Sequence, residues 1–475
     1  MRALLPLVAA LALSACASLP SSHIPEPVQA ALDKVQLPTE SLAVVAFPLD
    51  ARGAGLRIQP TRPMQPASTM KLVTAVVALD QLGPNARART ELLTDTLAFD
   101  TMKNGVLDGP LYLRGGADPD LDWSALTSLL RTLRGQGVSE IRGGLVVDRS
   151  LFNPARSDVG APPFDEQPEF PYNVIPDALM ANGNLQNFVL ESDGQALKVR
   201  ASPAWDGITV DTSDVQLSDA PCKDWEDGWK IPDAQGLAVR LHGQFPRNCK
   251  LEQELNVIDR QLLTQTAVRQ IWRELGGSMG AYNGEAAAPA TARVLATHAG
   301  RPLAEELRGV MKRSDNALAR LTFLSIGAKA AQAGETTPVA ADRSVREWFA
   351  AHRIPTEGLV LENGSGLSRS ERISPEQMAG LLTANFDGLH APELLSTLPV
   401  AGVDGTLSRR MKGTPAEGWA RMKTGTLNNA VCLAGYVPDA SGRIWVVVAM
   451  VNAPKAARGR AALDAVTLWV RQQQR

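Results

Sequence analysis

The sequence predicts an α+β fold in which an antiparallel sheet is flanked by helices and one or two β-rich domains are inserted between its two halves. Strand-like apolar runs occur near both ends of the chain, at 41–50 and in the late stretches NAVCLAGYVPD and RIWVVVAMVNA. Between them, residues 89–255 form short β-like runs separated by Gly, Pro and Asp turns. At 475 residues the chain is also long enough for about three domains. A sheet shared by both ends, with the middle inserted, accounts for all three observations.

The first residues are typical of an export signal. Arg2 precedes a short apolar run at 3–15 that ends in small residues, and a Pro- and Ser-rich stretch follows. The run is too short to span a bilayer as a helix. The tetrapeptide LSAC at 13–16 resembles a bacterial lipobox and predicts lipidation of Cys16, the alternative being an ordinary signal peptide with a chance cysteine. We therefore expect an exported, periplasmic protein with a lipid anchor in a membrane, with the outer membrane favoured.

The chain then divides into a main domain and inserted domains. We expect a signal peptide at 1–15, a lipidated tether at 16–28, a main domain built from 29–88 and 283–475, and inserted domains at 89–282 with a further insertion at roughly 165–250. Within the main domain, the stretch 64–83 predicts a helix that starts near Ser68 and ends at Gly83. The stretch PLAEELRGVMKRSDNALARL predicts a helix that runs into a polar kink.

Composition excludes several classes of function. The 48 basic and 50 acidic residues leave a net charge of −2, whereas nucleic-acid binding normally needs a strongly basic face. The five histidines are scattered, and the sequence contains neither H-E-x-x-H nor C-x-x-C, so zinc has no set of ligands. We expect no nucleic-acid partner, no metal and no organic cofactor.

Three cysteines follow the lipobox. Cys222 and Cys249 lie 27 residues apart in one loop-rich segment, and export to an oxidising compartment favours a disulfide between them. Cys432 stands in an apolar run and is predicted to be a small core residue.

Ser68 and Lys71 stand three residues apart at the front of the apolar helix. Residues at this spacing share a helix face, so the lysine can reach the hydroxyl. A serine hydroxyl needs such a base in order to act as a nucleophile, and burial beside another cation favours the neutral amine that can accept its proton. A capping serine with a solvated lysine is the simpler interpretation of S-x-x-K when it stands alone.

Two further motifs change that balance. The chain contains one S-x-N, Ser314-Asp315-Asn316, where a predicted helix meets a polar kink, and one K-T-G, Lys423-Thr424-Gly425, which leads into an apolar strand. The order S-x-x-K, S-x-N, K-T-G is the set found in penicillin-binding proteins and serine β-lactamases.

The sequence therefore resembles the penicillin-recognising serine enzymes, and among them the class C low-molecular-mass D-alanyl-D-alanine carboxypeptidases/endopeptidases. The resemblance covers nearly the whole mature chain and includes the stretches PLYLRGGADPDL, NGSGLSRSERISPEQM and LPVAGVDGTLSRRM. About 245 residues separate the first two motifs, which agrees with the domains that this family carries there. The resemblance implies a penicillin-binding/β-lactamase-like catalytic domain. The lipobox is a departure from it, since family members are generally exported as soluble proteins.

The resemblance also implies catalytic roles. Ser68 would be the acylated nucleophile and Lys71 its general base. Ser314 would relay a proton toward the leaving amine, while Asn316 would hold the substrate amide and orient Lys71. Lys423 would pair with the C-terminal carboxylate of the substrate.

The same resemblance implies a binding site along the K-T-G strand. Thr424 would hydrogen-bond the substrate carboxylate, and the backbone N–H groups of Ser68 and Thr426 would form the oxyanion hole. Gly425 would allow an extended peptide to approach the strand closely. Asp404 and the NGSGLSR loop are expected to shape the site, although Asn-Gly-Ser-Gly is equally suited to a plain turn.

The implied partners are peptidoglycan stem peptides and their cross-links, together with β-lactam antibiotics, which would acylate Ser68. Two alternatives remain: a serine β-lactamase and a catalytically silent peptidoglycan-binding lipoprotein. The G-x-S-x-G match at 276–280 suggests a nucleophile elbow, but a helix precedes it where an elbow requires a strand, so a Gly-rich helix stop is the preferred interpretation.

Overall fold

The computed structural model describes residues 21–162 and 165–474. The predicted signal peptide, the lipobox with Cys16 and the first residues of the tether lie outside the described residues.

Helices and strands occur along the whole described chain. The α-helices are α1 (Glu26–Lys34), α2 (Lys71–Leu82), α3 (Thr96–Asp100), α4 (Trp123–Gly135), α5 (Arg260–Glu274), α6 (Leu303–Arg308), α7 (Asn316–Ala330), α8 (Thr337–Ala351), α9 (Pro375–Asp387), α10 (Ala391–Thr397) and α11 (Arg460–Arg471). The strands are β1 (Leu42–Pro48), β2 (Leu56–Ile58), β3 (Arg89–Thr94), β4 (Val106–Leu107), β5 (Leu111–Gly116), β6 (Glu140–Ile141), β7 (Leu145–Asp148), β8 (Gln186–Ser192), β9 (Leu197–Ser202), β10 (Thr209–Ser218), β11 (Trp229–Gln235), β12 (Ala238–Pro246), β13 (Lys250–Leu255), β14 (Ser278–Met279), β15 (Asn283–Glu285), β16 (Arg293–Ala299), β17 (Arg421–Leu427), β18 (Ala430–Pro438) and β19 (Ile444–Asn452).

A five-stranded antiparallel sheet joins the two ends of the chain. Its strand order is β17-β18-β19-β1-β2, so the N-terminal hairpin pairs with the last three strands. The prediction that both ends share one sheet is confirmed. The K-T-G strand β17 lies at the edge of this sheet.

Both faces of the sheet are covered by helices. Along β1, Val45 and Phe47 pack into a core that includes α2, α7, α8 and α9, whereas Val44 and Ala46 pack with α1 and α11 on the other side. Side chains of a strand alternate between its two faces, so a strand that is covered on both sides needs a continuous apolar run. This explains why β1, β18 and β19 have an almost unbroken apolar sequence.

A second five-stranded sheet belongs to the inserted part of the chain. Its order is β15-β7-β5-β3-β16, and it packs with α4 and α5 around a separate hydrophobic core. β15 and β16 therefore pair with inserted strands, although the sequence-based boundary at residue 283 assigned them to the main domain. The chain returns to the packing around the central sheet with α6.

Among the described residues, three three-stranded sheets, β13-β8-β9, β10-β12-β11 and β14-β6-β4, extend this inserted region. A disulfide joins Cys222 to Cys249 with a Cα–Cα distance of 5.3 Å. Cys432 is fully buried in β18.

In the ranges 21–162 and 165–474, none of the helices has both the length and the apolar character that crossing a bilayer requires.

The G-x-S-x-G segment has no elbow geometry. Gly276, with φ +77°, follows the end of α5, and Ser278 begins the short strand β14, which pairs with β6. A nucleophile elbow is a strand-to-helix turn, and this segment joins a helix to a strand.

Candidate active site

Ser68 lies in a tight 3₁₀ turn, Ala67–Met70, that leads directly into α2. The turn is tighter than the predicted start of an α-helix near this serine. Two glycines bring other segments against its backbone: a Cβ on Gly366 would lie 1.9 Å from the carbonyl oxygen of Ala67, and a Cβ on Gly425 would lie 2.9 Å from the nitrogen of Ser68. Because any other residue would collide there, glycine at these two positions lets both segments enclose the serine.

Lys71, the first residue of α2, is fully buried beside Ser68. Its Nζ lies 3.0 Å from the Oγ of Ser68, 2.6 Å from the Oδ1 of Asn316 and 2.5 Å from the carbonyl oxygen of Ser365. The amide and carbonyl oxygens can only accept hydrogen bonds. In a neutral amine, the two N–H bonds would go to these oxygens and the lone pair would face the hydroxyl of Ser68. The geometry suits proton transfer from the serine to the lysine.

The electrostatic surroundings favour that neutral amine. Burial lowers the pKa of Lys71 well below its usual value, and the nearby charge of Lys423 lowers it further. Glu371 and Asp315 act in the opposite direction but do not outweigh burial.

Lys423 is the second fully buried lysine of the site. Its Nζ donates to the Oγ of Ser314 at 2.9 Å and to the carbonyl oxygen of Thr424 at 2.8 Å. Burial lowers the pKa of Lys423 to about 7. The two lysines are therefore linked to two different serines in the same cleft.

Ser314 stands at the polar kink that the sequence predicted. The chain passes from α6 through a π-helical turn, Gly309–Arg313, and then reverses at Ser314, which has the left-handed conformation φ +61°, ψ 38°. The carboxylate of Asp315 then caps α7 by accepting the N–H of Leu318 at 3.0 Å. The kink directs Ser314 to Lys423 and places Asn316, at the start of α7, beside Lys71.

Strand β17 presents backbone groups to the cleft. The N–H of Met422 donates to the carbonyl oxygen of Pro399 at 2.9 Å, on the side away from β18. Because the direction of backbone groups alternates along a strand, the N–H groups of Thr424 and Thr426 point to the same open edge. An extended peptide could pair with these groups as an added strand.

An ion pair stabilises the loop that lies against the K-T-G strand near Thr424. The Nζ of Lys312 lies 2.8 and 2.6 Å from the two carboxylate oxygens of Asp404. Burial raises the pKa of Asp404, but the hydrogen bonds from Lys312 and from the N–H of Val400, together with the positive charges of Lys312 and Arg308, outweigh burial and keep the pKa below its usual value. The loop that begins at Asp404 carries Thr406, whose Oγ lies 2.6 Å from that of Thr424. The loop that begins at Asp404 therefore lies against the K-T-G strand.

Two open cavities meet at Ser68. One, of about 410 Å³, is lined by Ser68, Ser314, Thr424 and Thr426 together with Thr406, Arg410 and Arg460. The other, of about 790 Å³, also reaches Asn316 and extends to Asp165 and Tyr172 of the inserted region. The Nδ2 of Asn316 donates to the carbonyl oxygen of Tyr172 at 3.2 Å. The inserted region therefore borders the cleft directly.

Comparison with known proteins agrees with this geometry. Residues 25–473 match the D-Ala-D-Ala carboxypeptidase 3 (S13) family. The chain belongs to this family.

Two curated relatives support the S13 assignment. The chain is 31% identical over 403 residues to a D-alanyl-D-alanine carboxypeptidase of Actinomadura sp., a match covering 80% of this chain and 72% of the relative. It is 30% identical over 406 residues to the D-alanyl-D-alanine carboxypeptidase DacB of Haemophilus influenzae, covering 82% and 80% of the two chains. The crystal structure of penicillin binding protein 4 (dacB) from Haemophilus influenzae superposes with a TM-score of 0.78 at 27% identity, covering 92% of this chain and 97% of that one. The predicted fold class is confirmed.

Within this S13 chain, the structure brings all five predicted catalytic side chains into one cleft: Ser68, Lys71, Ser314, Asn316 and Lys423. The carbonyl oxygen of Ser365 also reaches Lys71, and sequence reasoning did not identify it. It also missed Glu371, which is buried under the same loop. Both stand in the quoted stretch NGSGLSRSERISPEQM, but a backbone carbonyl leaves no signal in a sequence pattern. In the described ranges, no group of three or more His, Cys, Asp and Glu side chains is placed to hold a metal ion.

Proposed function

We propose that this S13 chain is a serine-type D-alanyl-D-alanine carboxypeptidase that works through an acyl-enzyme on Ser68. One observation carries the proposal: the Nζ of the buried Lys71 lies 3.0 Å from the Oγ of Ser68, with two acceptor oxygens positioned to take its N–H bonds. Family membership supports the same reaction class.

Acylation begins when the Oγ of Ser68 attacks the carbonyl carbon between the two terminal D-alanines. Lys71 takes the hydroxyl proton, and the N–H groups of Ser68 and Thr426 stabilise the oxygen that becomes negative. The C–N bond then breaks, and the proton taken up by Lys71 is passed through Ser314 to the leaving amine, which makes Lys71 neutral again. D-Alanine departs and the rest of the peptide remains as an ester on Ser68. Water then hydrolyses this ester and restores the free serine.

Substrate binding uses the edge of the central sheet. The protonated amine of Lys423 pairs with the terminal carboxylate, and the hydroxyl of Thr424 hydrogen-bonds to it. The peptide extends along the open N–H groups of β17. Gly425 keeps this strand close to the nucleophile, because a side chain there would collide with the backbone of Ser68.

The same cleft is proposed to act as a DD-endopeptidase on the D-Ala–diaminopimelate cross-link of peptidoglycan. Both cavities at Ser68 are open, so a chain can leave the reacting bond in either direction. β-Lactams, which imitate the D-Ala–D-Ala terminus, acylate Ser68 in this proposal.

We also propose that the protein is exported to the periplasm and anchored to a membrane, with the outer membrane favoured, by lipid on Cys16. The lipobox sequence supports this, and loss of labelled-palmitate incorporation in Cys16→Ser is the expected result. Palmitate incorporation equal to that of the wild type would contradict the anchor.

For the domain division, the strand pairing supports a catalytic domain at 29–88 and from about 300 onward, with the stretch between inserted.

The test of the reaction is intact-mass analysis of the purified protein after exposure to benzylpenicillin. The wild type should gain one penicilloyl group and should release D-alanine from a pentapeptide, and Ser68→Ala should do neither. Ser278→Ala, which changes the serine of G-x-S-x-G, is the matched control and should behave as the wild type. Persistence of the adduct in Ser68→Ala would disprove the nucleophile.

The two alternative functions predict different results with the same purified protein. Rapid turnover of a chromogenic cephalosporin would identify a β-lactamase. Absence of both a stable adduct and D-alanine release would leave the silent peptidoglycan-binding lipoprotein as the better account.

A further inference from the structure

Glu371 is a fully buried carboxylate that holds a loop beside the catalytic lysine. Its Oε1 accepts the backbone N–H groups of Glu362, Asn363 and Gly364 at 3.2, 3.1 and 2.9 Å, and its Oε2 accepts that of Gly366 at 2.8 Å. Each of these contacts is a charge-assisted hydrogen bond when the carboxylate is ionised, and although burial raises the pKa of Glu371, the four N–H groups act to lower it and favour the ionised form. One side chain therefore fixes the backbone on both sides of residue 365.

The loop that Glu371 holds forms one wall of the lysine site. The carbonyl oxygen of Ser365 accepts from Lys71, and the carbonyl oxygen of Gly364 accepts from Thr74 on the next turn of α2 at 2.7 Å. Asn363 stiffens the loop further, since its Oδ1 accepts both the N–H and the hydroxyl of Ser365 at 3.0 and 2.7 Å. The loop is thereby attached to α2 at two consecutive carbonyls.

We propose that Glu371 is a positioning residue for the general base: its carboxylate fixes the loop so that the Ser365 carbonyl takes one N–H of Lys71 and the lone pair of that amine is directed at Ser68. This inference rests on the proposed function of Ser68 and Lys71. With Asn316 holding the other N–H, the Ser365 carbonyl leaves Nζ one orientation. Without the Ser365 carbonyl in this position, the amine of Lys71 can rotate away from the hydroxyl of Ser68. Small displacements of a reacting group cost up to about 100-fold in rate.

The charges around Lys71 make this role measurable. Four charged groups act on Lys71, namely Lys423, Glu371, Asp315 and Arg320. Glu371 raises the pKa of Lys71, whereas burial and Lys423 lower it. Replacing Glu371 with glutamine removes one opposing charge, so the pKa of Lys71 should fall further.

The experiment measures the second-order rate constant of acylation by benzylpenicillin from pH 5 to 10 for the wild type, Glu371→Gln and Glu362→Gln. Glutamine has the shape of glutamate but must turn an N–H toward a backbone N–H, so the loop loosens. We expect Glu371→Gln to be at least about tenfold slower at its optimum, with the acid limb of its profile moved to lower pH. Glu362, whose carboxylate accepts from Ser368 and Ser370 on the exposed side of the same loop, is the matched control and should stay within twofold.

The outcomes separate this inference from the proposed function. If the wild type forms no adduct, the proposed function fails. If the wild type acylates and Glu371→Gln matches it in rate and acid limb, only the positioning role is overturned. A slower rate of Glu371→Gln with an unmoved acid limb would also overturn it, since loss of the Glu371 charge should lower the pKa of Lys71.

Asn363→Ala provides an independent test if Glu371→Gln does not fold. This variant keeps the buried charge and removes only the two hydrogen bonds to Ser365. Acylation should slow by about three- to tenfold with the acid limb in place, because loss of such bonds typically costs about 1 kcal/mol. A rate equal to the wild type would count against the proposal.

Discussion

The two lysines of the cleft are alike in burial and differ in their neighbours. Both side chains are fully inaccessible to solvent. Lys71 lies against the nucleophile and against two oxygens that can only accept, whereas Lys423 donates to a serine hydroxyl and to the carbonyl of the next residue at a sheet edge. Burial alone therefore does not determine the role of a lysine in this cleft. The partners decide which lysine suits a base and which a charged anchor.

Their charge states are also coupled. The positive charge of Lys423 lowers the pKa of Lys71, so one lysine helps to keep the other neutral. A site with one charged and one neutral lysine can bind a carboxylate and accept a proton at the same pH. Separate substitutions of the two lysines should therefore affect different steps, acylation for Lys71 and carboxylate binding for Lys423.

Replacing Lys71 with methionine should reduce acylation by about 10²–10⁴-fold, because the proposed general base is lost. Methionine has a similar length and no charge to desolvate, so the melting temperature should not fall. Stopped-flow acylation by benzylpenicillin together with calorimetry measures both. A decrease of less than tenfold would mean that another group removes the proton of Ser68.

Replacing Lys423 with methionine should lower kcat/KM for a D-Ala-D-Ala peptide by about 10- to 100-fold, since a hydrogen bond to a charged group is worth about 1.5–3 kcal/mol. The control substrate is the same peptide with its terminal carboxylate converted to a primary amide. Wild type and variant should treat this amide alike. Equal losses on both substrates would contradict an anchor for the carboxylate.

The pH profile of kcat/KM should have two limbs that belong to the two lysines. Lys71 acts as the neutral amine, so activity should rise with pH through its lowered pKa. Lys423 binds as the cation, so activity should decline as pH increases through about 7. In Lys423→Arg the alkaline limb should disappear, because arginine stays protonated. An alkaline limb unchanged in that variant would assign it to another group.

Much of this site could be read from the sequence because its side chains fall into short motifs. Ser68 and Lys71 are three residues apart, and the other two motifs stand at a helix kink and at a strand start. The sheet shared by the first and the last strands followed from their apolar runs. These features depend on local spacing and hydrophobic pattern, which a single sequence contains.

Other features depend on contacts across the fold. The proposed role of Glu371 rests on four backbone N–H groups, and almost any residue could supply such groups. The strands at 283–299 look like a return to the main domain along the chain, but their hydrogen bonds go to β7 and β3. Such pairings link residues that are far apart in the sequence, so local patterns do not specify them.

The smallest expected effect on kcat/KM comes from the ion pair between Asp404 and Lys312, in the loop next to the K-T-G strand. Asp404→Asn removes the ion pair with Lys312 but keeps an acceptor for the N–H of Val400, which now lies 2.9 Å from the carboxylate. A partly exposed ion pair is worth about 0.2–1 kcal/mol, so kcat/KM for the peptide should fall by no more than about fivefold. Asp387→Asn, which breaks an exposed pair with Arg52, is the control and should leave kcat/KM unchanged. A loss as large as that of Lys423→Met would show that the loop at Asp404 helps to bind the carboxylate, and the contrast between the two lysines would then extend to the loops that hold them.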